Sequence, residues 1–82
     1  MRIPHEIGDE FPDQASLIER LTKTNYEFGR LAAAYDDVNR HICRIESEDE
    51  PTADEVLEKL KKRRLLLKDD IATLLTKAQR RM

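Results

Sequence analysis

The largest group of side chains able to do chemistry in this sequence is a run of basic residues in its second half. Residues 56–82 carry nine Lys or Arg against three Asp or Glu, whereas residues 1–55 carry six against fourteen. Cations on a helix can neutralise phosphates, which is the chemistry of nucleic-acid binding. They can equally face solvent and pair with carboxylates of the other helix, or with Glu55 and Glu58 one turn away. The candidate basic patch comprises Lys59, Lys61, Lys62, Arg63, Arg64 and Lys68.

Composition makes nucleic-acid binding the weaker of two interpretations. No Phe, Tyr or Trp follows Tyr35, so the second half offers nothing on which bases could stack. The formal net charge is −2 and the pI is about 5.7, whereas a nucleic-acid-binding domain usually has a pI above about 9. We therefore predict a protein–protein interaction or scaffold module. The alternative is a nucleic-acid-associated protein that binds through its basic second helix.

Side chains that perform catalysis or bind metals are scattered along the chain. His41 and Cys43 lie two residues apart, so on a helix they point to different faces and cannot hold one ion together. Gly8 and Gly29 are the only glycines, so no glycine-rich loop is present to hold a phosphate. Nucleophilic catalysis also needs an oriented base beside a cleft, which two packed helices do not provide. We expect no enzymatic activity, no cofactor, no metal and no small-molecule substrate.

Helices must position these side chains, because apolar residues recur at alternating steps of three and four. A seam of this period, maintained over several heptads, is typical of coiled-coil packing. The first seam runs through Leu17, Leu21, Thr24, Phe28, Leu31, Tyr35, Val38, Ile42 and Ile45. The second seam runs through Leu57, Leu60, Arg64, Leu67, Ile71, Leu74 and Ala78.

Proline and capping residues mark where the two helices begin. Pro12 suits a first helical turn, where its missing N–H would be unpaired anyway. After Pro51, Thr52 and Glu55 have the T-x-x-E spacing of a capping box. We predict a mobile tail over residues 1–10, helix 1 over about 12–47, an acidic linker over about 48–51 and helix 2 over about 52–80. Because the linker is short, the helices should fold back into an all-α antiparallel two-helix hairpin, a coiled coil.

Arg64 occupies a seam position in a helix whose other seam residues are apolar. An arginine there lays its stem over the neighbouring leucines and carries its guanidinium to the edge of the seam. A polar seam residue also fixes the register of two helices at some cost in stability. We predict this register role rather than a binding role, with Asn39 or a carboxylate of a second hairpin as the partner.

Helix 2 carries a second apolar stripe beside its seam, which indicates contact with two neighbours. A two-helix hairpin buries one layer of side chains, so a monomeric core would be thin. We therefore expect a homo-oligomer, most simply a dimer whose two hairpins form a four-helix bundle, or docking onto another protein. The alternative is a monomeric hairpin with a few exposed leucines. The candidate self-association face comprises Leu65, Ala72 and Leu75 with Ile18 and Ala32.

Cysteine content and hydropathy indicate the compartment. Cys43 is the only cysteine, so no internal disulfide can form and a reducing environment is expected. No apolar run approaches the roughly 18 residues that a membrane span needs. The first residues contain no apolar stretch long enough for a secretory signal. We expect a soluble, cytoplasmic protein without membrane contact.

Much of this pattern resembles the YdcH-like family of small bacterial proteins, whose function is uncharacterised. The most specific stretch is residues 60–71, LKKRRLLLKDDI, which is similar to the family's LKK-x-RL-x-LKDE-I. The resemblance covers about residues 11–76 and implies a short bacterial coiled-coil hairpin. It implies no activity, cofactor or active site. The other matching positions are Phe11, Pro12, Leu17, Leu21, Phe28, Tyr35 and residues 42–46.

Overall fold

The computed structural model describes residues 4–48 and 54–80, and the regular structure in those two ranges is entirely helical. The two longest helices pack against each other, so the all-α prediction is confirmed. In chain order the elements are α1 (Ile7–Glu10), a 3₁₀ turn (Pro12–Gln14), α2 (Ala15–Thr24), α3 (Tyr26–Glu48) and α4 (Asp54–Arg80).

Two pairs of side chains that cross between α3 and α4 give the direction of the hairpin. Arg64 of α4 donates to Asn39 of α3, with 2.8 Å between Nη1 and Oδ1. Lys61, which precedes Arg64 on α4, pairs at 3.1 Å with Glu46, which follows Asn39 on α3. Since residue numbers fall on one helix as they rise on the other, α3 and α4 are antiparallel, as predicted.

The predicted seams form the contact between these helices. Burial of such an apolar stripe, more than intrinsic propensity, stabilises helices inside a protein. The seam residues of α3 that are buried are Phe28, Tyr35, Val38, Ile42 and Ile45. In α4 Ile71 is buried, and Leu57, Leu60, Arg64, Leu67, Leu74 and Ala78 are half-buried. The predicted linker after Glu48 and the capping residue Thr52 lie outside the described residues.

Helix 1 is not continuous, because it breaks at Asn25 into α2 and α3. Asn25 has φ −120° and ψ 110°, an extended conformation. Its Oδ1 accepts a 3.0 Å hydrogen bond from the Phe28 N–H, and its own N–H donates to the Leu21 carbonyl at 2.8 Å. Asparagine is among the strongest N-cap residues, so this side chain begins α3 where α2 ends. The heptad pattern does not reveal the break, because Leu21, Thr24 and Phe28 keep the steps of three and four across it.

The break lets the chain fold back over the hairpin as an N-terminal arm, residues 4–24. Ile7, Phe11 and Ile18 of the arm pack against a core cluster that draws on α2, α3 and α4. The hairpin is as predicted, and the arm adds a third packing element that the prediction lacks. The buried residues of the core cluster are Leu17, Phe28, Tyr35, Ile71 and Leu75.

The described part of the predicted mobile tail, residues 4–10, contacts the hairpin through Ile7 and through the backbone carbonyls of Pro4 and His5, although most of its residues are exposed. His5 has a left-handed backbone conformation, with φ 62°, and the chain turns there before α1. The carbonyls of Pro4 and His5 accept hydrogen bonds from side chains of α3. These bonds are the physical reason that the segment is held against the hairpin. Residues 1–3 lie outside the described residues.

The second apolar stripe of α4 turns partly inward, which corrects the predicted self-association face. Leu75 is 1% exposed and belongs to the core cluster, and Ile18 and Ala32 pack against that cluster. Ala72 is half-buried, whereas Leu65 is exposed. The second neighbour that the stripe predicts is present, but it is the arm of the same chain, because the break before α3 returns α2 to the core.

Truncation of a core side chain tests this packing. We expect Phe28→Ala to lower the free energy of unfolding by about 3–5 kcal/mol, because the ring is fully buried and its removal leaves a cavity. Leu66→Ala is the matched control, since Leu66 is exposed and its truncation should change stability by less than about 0.5 kcal/mol. Urea unfolding followed by circular dichroism measures both variants. Equal losses of stability would contradict the assigned core.

Candidate functional site

A cluster of polar side chains lies between the N-terminal arm and the hairpin. Tyr35 and Asn39 are four residues apart on α3, so they project from the same face of the helix. The Tyr35 hydroxyl donates to the His5 carbonyl at 2.5 Å, and Nδ2 of Asn39 donates to the Pro4 carbonyl at 2.9 Å. Two successive backbone carbonyls of the arm are therefore held by two side chains of α3.

Asn39 also connects the arm to α4. The residue is 1% exposed, and its Oδ1 accepts a 2.8 Å hydrogen bond from Nη1 of Arg64. Asn39 is one of the two partners predicted for Arg64, and the structure places that bond within a single chain. A buried polar atom left without a partner costs about 1–3 kcal/mol. Because the amide bonds in both directions, it fixes α3 relative to the arm and relative to α4.

An ion-pair cluster joins α1 to α4 beside these hydrogen bonds. Oε1 of Glu10 lies 3.4 Å from Nδ1 of His5 and 3.6 Å from Nζ of Lys68. The His5 contact is an ion pair only when the imidazole is protonated. Glu10 and Lys68 are both half-buried, so solvent and salt screen their attraction less than that of a fully exposed pair. The Glu10–Lys68 pair therefore adds a second link between the arm and the hairpin.

Burial raises the pKa of the Tyr35 phenol above its ordinary value near 10, and the negative charge of Glu10 raises it further. The positive charge of Arg64 acts in the opposite direction. The phenol is therefore neutral at physiological pH and retains the proton that it donates to the His5 carbonyl. In this state Tyr35 serves as a hydrogen-bond donor that holds the arm.

Metal ligands are not grouped in the part of the chain that the structure describes. Within residues 4–48 and 54–80, no three His, Cys, Asp or Glu side chains are placed to hold a metal ion together. His41 is exposed and Cys43 is half-buried. In the same two ranges, no helix is long and apolar enough to cross a membrane.

Most of the candidate basic patch is paired with groups of the same chain. Arg64 donates to Asn39, and Arg63 alone of the six has no partner among the described residues. The pairing interpretation predicted the partners of Lys59, Lys62 and Lys61, one turn away or on the other helix. It did not predict the partner of Lys68, because Glu10 lies in the segment predicted to be a mobile tail. The ion pairs are Lys59–Glu55 at 3.7 Å, Lys62–Glu58 at 3.7 Å, Lys61–Glu46 at 3.1 Å and Lys68–Glu10 at 3.6 Å.

Two consecutive leucines form an exposed apolar surface on α4. Leu65 is 57% exposed and Leu66 is 65% exposed. Successive residues lie about 100° apart around a helix, so the two side chains spread over a broad sector that faces away from the core. We call this pair the α4 leucine patch. Lys61, Lys62 and Arg63 lie about one turn before the patch, and Asp69 and Asp70 lie about one turn after it.

Some of these contacts are predictable from the sequence and others are not. Asn39 was one of the two partners predicted for Arg64, because a polar seam residue needs a polar partner. The contacts of Tyr35 and Asn39 with the arm were missed, since their acceptors are backbone carbonyls and no side-chain pattern marks them. Leu66 was also missed, because it lies off both apolar stripes of α4. The sequence does contain a sign of its exposure, because Leu66 is apolar but lies outside the three-and-four spacing of the buried residues.

The hairpin is similar in sequence to a known protein family. A family model described as "Protein of unknown function (DUF465)" matches residues 28–75, which is more than half of the 82 residues. The matched stretch contains most of the hairpin, including Asn39, Arg64 and the α4 leucine patch, and it leaves out the N-terminal arm. No curated protein and no solved structure has a significant match to the chain.

Removal of the Asn39 amide tests how the arm is held. We expect Asn39→Ala to lower the free energy of unfolding by about 1–3 kcal/mol, because it leaves Arg64 and the Pro4 carbonyl without their buried partner. Amide hydrogen exchange over residues 5–11 should become faster in this variant. His41→Ala, on the exposed side of the same helix, is the control and should leave both measurements unchanged. Unchanged exchange in Asn39→Ala would show that the amide does not hold the arm.

Ionisation of Tyr35 should destabilise the fold at alkaline pH. The folded pKa lies above the unfolded value near 10, so the stabilising contribution is complete below pH 10 and is lost as the pH rises through the folded pKa. In Tyr26→Phe, Tyr35 is the remaining tyrosine, and absorbance at 295 nm follows its titration alone. The midpoint should lie above 10 in buffer and return to about 10 in concentrated urea. Equal midpoints in the two solvents would refute the shift.

Proposed function

The chain belongs to the family described as "Protein of unknown function (DUF465)", and from that premise we propose that it is a protein–protein interaction module that binds through the α4 leucine patch. Family membership confirms the resemblance to the YdcH-like proteins and specifies no partner. The observation that carries the proposal is the exposure of Leu65 and Leu66 on a helix whose other leucines are half-buried or buried.

The apolar area of the patch is a source of binding free energy. Moving a leucine side chain from water into an apolar contact is worth about 1.5–3 kcal/mol. The arm and α3 occupy the other apolar faces of α4, so among the described residues nothing covers Leu65 and Leu66. A partner that covers both side chains therefore gains the free energy of burying them, and it does not have to displace any part of the folded chain.

The charges beside the patch indicate the chemistry of the partner. The Lys62–Glu58 pair is exposed and so contributes little, and Arg63 has no partner among the described residues. Long basic side chains can lie along an apolar surface and direct their charge outward. The partner that fits is an amphipathic helix whose apolar stripe is bordered by carboxylates. It is either another protein or a second copy of this chain.

Nucleic-acid binding through the basic patch is the competing function, and salt distinguishes the two. Phosphate contacts release counterions, so their affinity falls by orders of magnitude between about 50 and 200 mM salt. An interface formed by two leucines depends on apolar burial and changes little over that range. The pairing of five of the six basic side chains within the chain favours the protein partner.

We expect the double variant Leu65→Ser, Leu66→Ser to weaken partner binding at least about tenfold, because tenfold corresponds to about 1.4 kcal/mol and two leucines lose their burial. Val56→Ser is the matched control, since Val56 is also exposed on α4 and lies about 14 Å along the helix from Leu65. The tagged wild type and both variants are used for affinity capture from the host lysate, with and without nuclease and at both salt concentrations. Thermal unfolding verifies that each variant remains folded.

The outcomes separate the two functions. Partners that survive nuclease, bind the wild type and Val56→Ser equally and are lost from the double variant would support the proposal. Partners that disappear with nuclease or with salt, or equal capture by all three proteins, would contradict it. Light scattering of the purified wild type then identifies the kind of partner. If the wild type has twice the monomer mass of 9.6 kDa and the double variant has the monomer mass, the partner is a second copy of the chain.

A further inference from the structure

The N-terminal arm is joined to α3 through a single non-helical residue. α2 ends at Thr24 and α3 begins at Tyr26, so Asn25 alone separates them. Its extended conformation, φ −120° and ψ 110°, is stabilised by the bond from the Phe28 N–H to its Oδ1. A change at this one residue would be enough to redirect the whole arm.

The apolar seam crosses this break without changing its period. Leu21, Thr24 and Phe28 continue the steps of three and four that precede and follow them. No proline or glycine occurs over residues 13–28, so the local sequence also permits an uninterrupted helix. If Asn25 takes a helical conformation, α2 and α3 become one helix over residues 15–48. The chain therefore has two arrangements at this position that agree with its local sequence.

Opening the arm in an isolated chain would be costly. Ile71 and Leu75, which are buried in the core cluster with Leu17, would lose their cover. Asn39 and Tyr35 would lose the carbonyls to which they donate, and buried donors without acceptors are unfavourable. A single chain has nothing else of the right shape for this surface, whereas the arm of a second copy has the same side chains and carbonyls.

We propose that two copies of this chain exchange their N-terminal arms, with Asn25 as the hinge, to form a swapped dimer. In this dimer each arm lies on the α3–α4 hairpin of the other copy. Every contact between arm and hairpin is kept, and only the hinge changes its conformation. The exchange uses a surface different from the α4 leucine patch, so it goes beyond the proposed function and does not depend on it.

Substitutions at Asn25 change the balance between the extended conformation of the hinge, which keeps the arm on its own hairpin, and the helical conformation, which allows exchange. Asn25→Ala removes the N-cap of α3, which disfavours the broken form, and places the best helix former at the hinge. Asn25→Asp is the matched control, because aspartate caps as well as asparagine. We expect the dimer Kd of Asn25→Ala to be about thirtyfold lower than that of Asn25→Asp, which corresponds to about 1 kcal/mol at each of two hinges.

Tyr26→Pro changes the hinge in the opposite direction. Tyr26 is the first residue of α3, where proline is well tolerated, and its side chain is 82% exposed. A proline at this position also disfavours the helical conformation of the residue before it. Asn25 is then kept extended, the arm stays on its own hairpin, and we expect this variant to remain a monomer.

Light scattering after size-exclusion chromatography, over a range of concentrations, measures the oligomeric state of the wild type and the three variants. Refolding from urea at high concentration should raise the dimer fraction of the wild type and leave Tyr26→Pro monomeric, and this comparison holds even if Asn25→Ala does not fold. Equal Kd values for Asn25→Ala and Asn25→Asp, or a dimer of Tyr26→Pro, would overturn the proposal.

Isotope-filtered NMR of a refolded mixture of labelled and unlabelled chains tests whether the dimer is swapped. Contacts between the methyl groups of Leu17 and those of the core-cluster residues of α4, Ile71 and Leu75, should appear between different chains. Their absence in a dimeric sample would overturn the exchange. The double variant of the α4 leucine patch should still form the swapped dimer, so a failure of either proposal can be recognised without the other.

Discussion

One buried amide holds the three parts of this molecule together. Asn39 donates to the Pro4 carbonyl of the arm and accepts from Arg64 of α4, at a position that is almost closed to water. Neither partner can leave without exposing a buried polar atom to an apolar surrounding. Because Tyr35, one turn earlier, holds the next carbonyl of the arm, the position of the arm depends on this face of α3.

The same contact decides which apolar surface of α4 remains in water. With the arm held on α3, α2 stays in the core cluster and Leu75 is withdrawn from the surface. Leu65 and Leu66 lie on the side that neither α3 nor the arm covers. The basic side chains before them are mostly engaged in ion pairs of the same chain, which leaves apolar burial as the main source of free energy for a partner.

The pattern of apolar residues was enough to specify the hairpin. Apolar residues at steps of three and four show which face of each helix is buried. Two helices with such seams that are joined by a short connection pack antiparallel. The sequence also narrowed the partner of Arg64 to two alternatives, of which Asn39 was one, because a polar side chain in an apolar seam must be matched by another polar group. The ion pairs of Lys59 and Lys62 followed from the spacing of one helical turn.

The arm was decided by the tertiary structure alone. The seam through Thr24 is equally compatible with an unbroken helix. The break at Asn25 is stabilised only when the arm packs on the core and its carbonyls accept hydrogen bonds from the hairpin. Those acceptors are backbone carbonyls, which have no signature in the sequence. Leu65 and Leu75 occupy the same stripe in the sequence, yet one is exposed and the other is buried. Burial depends on which segment of the chain packs against a residue, and periodicity within one helix does not contain that information.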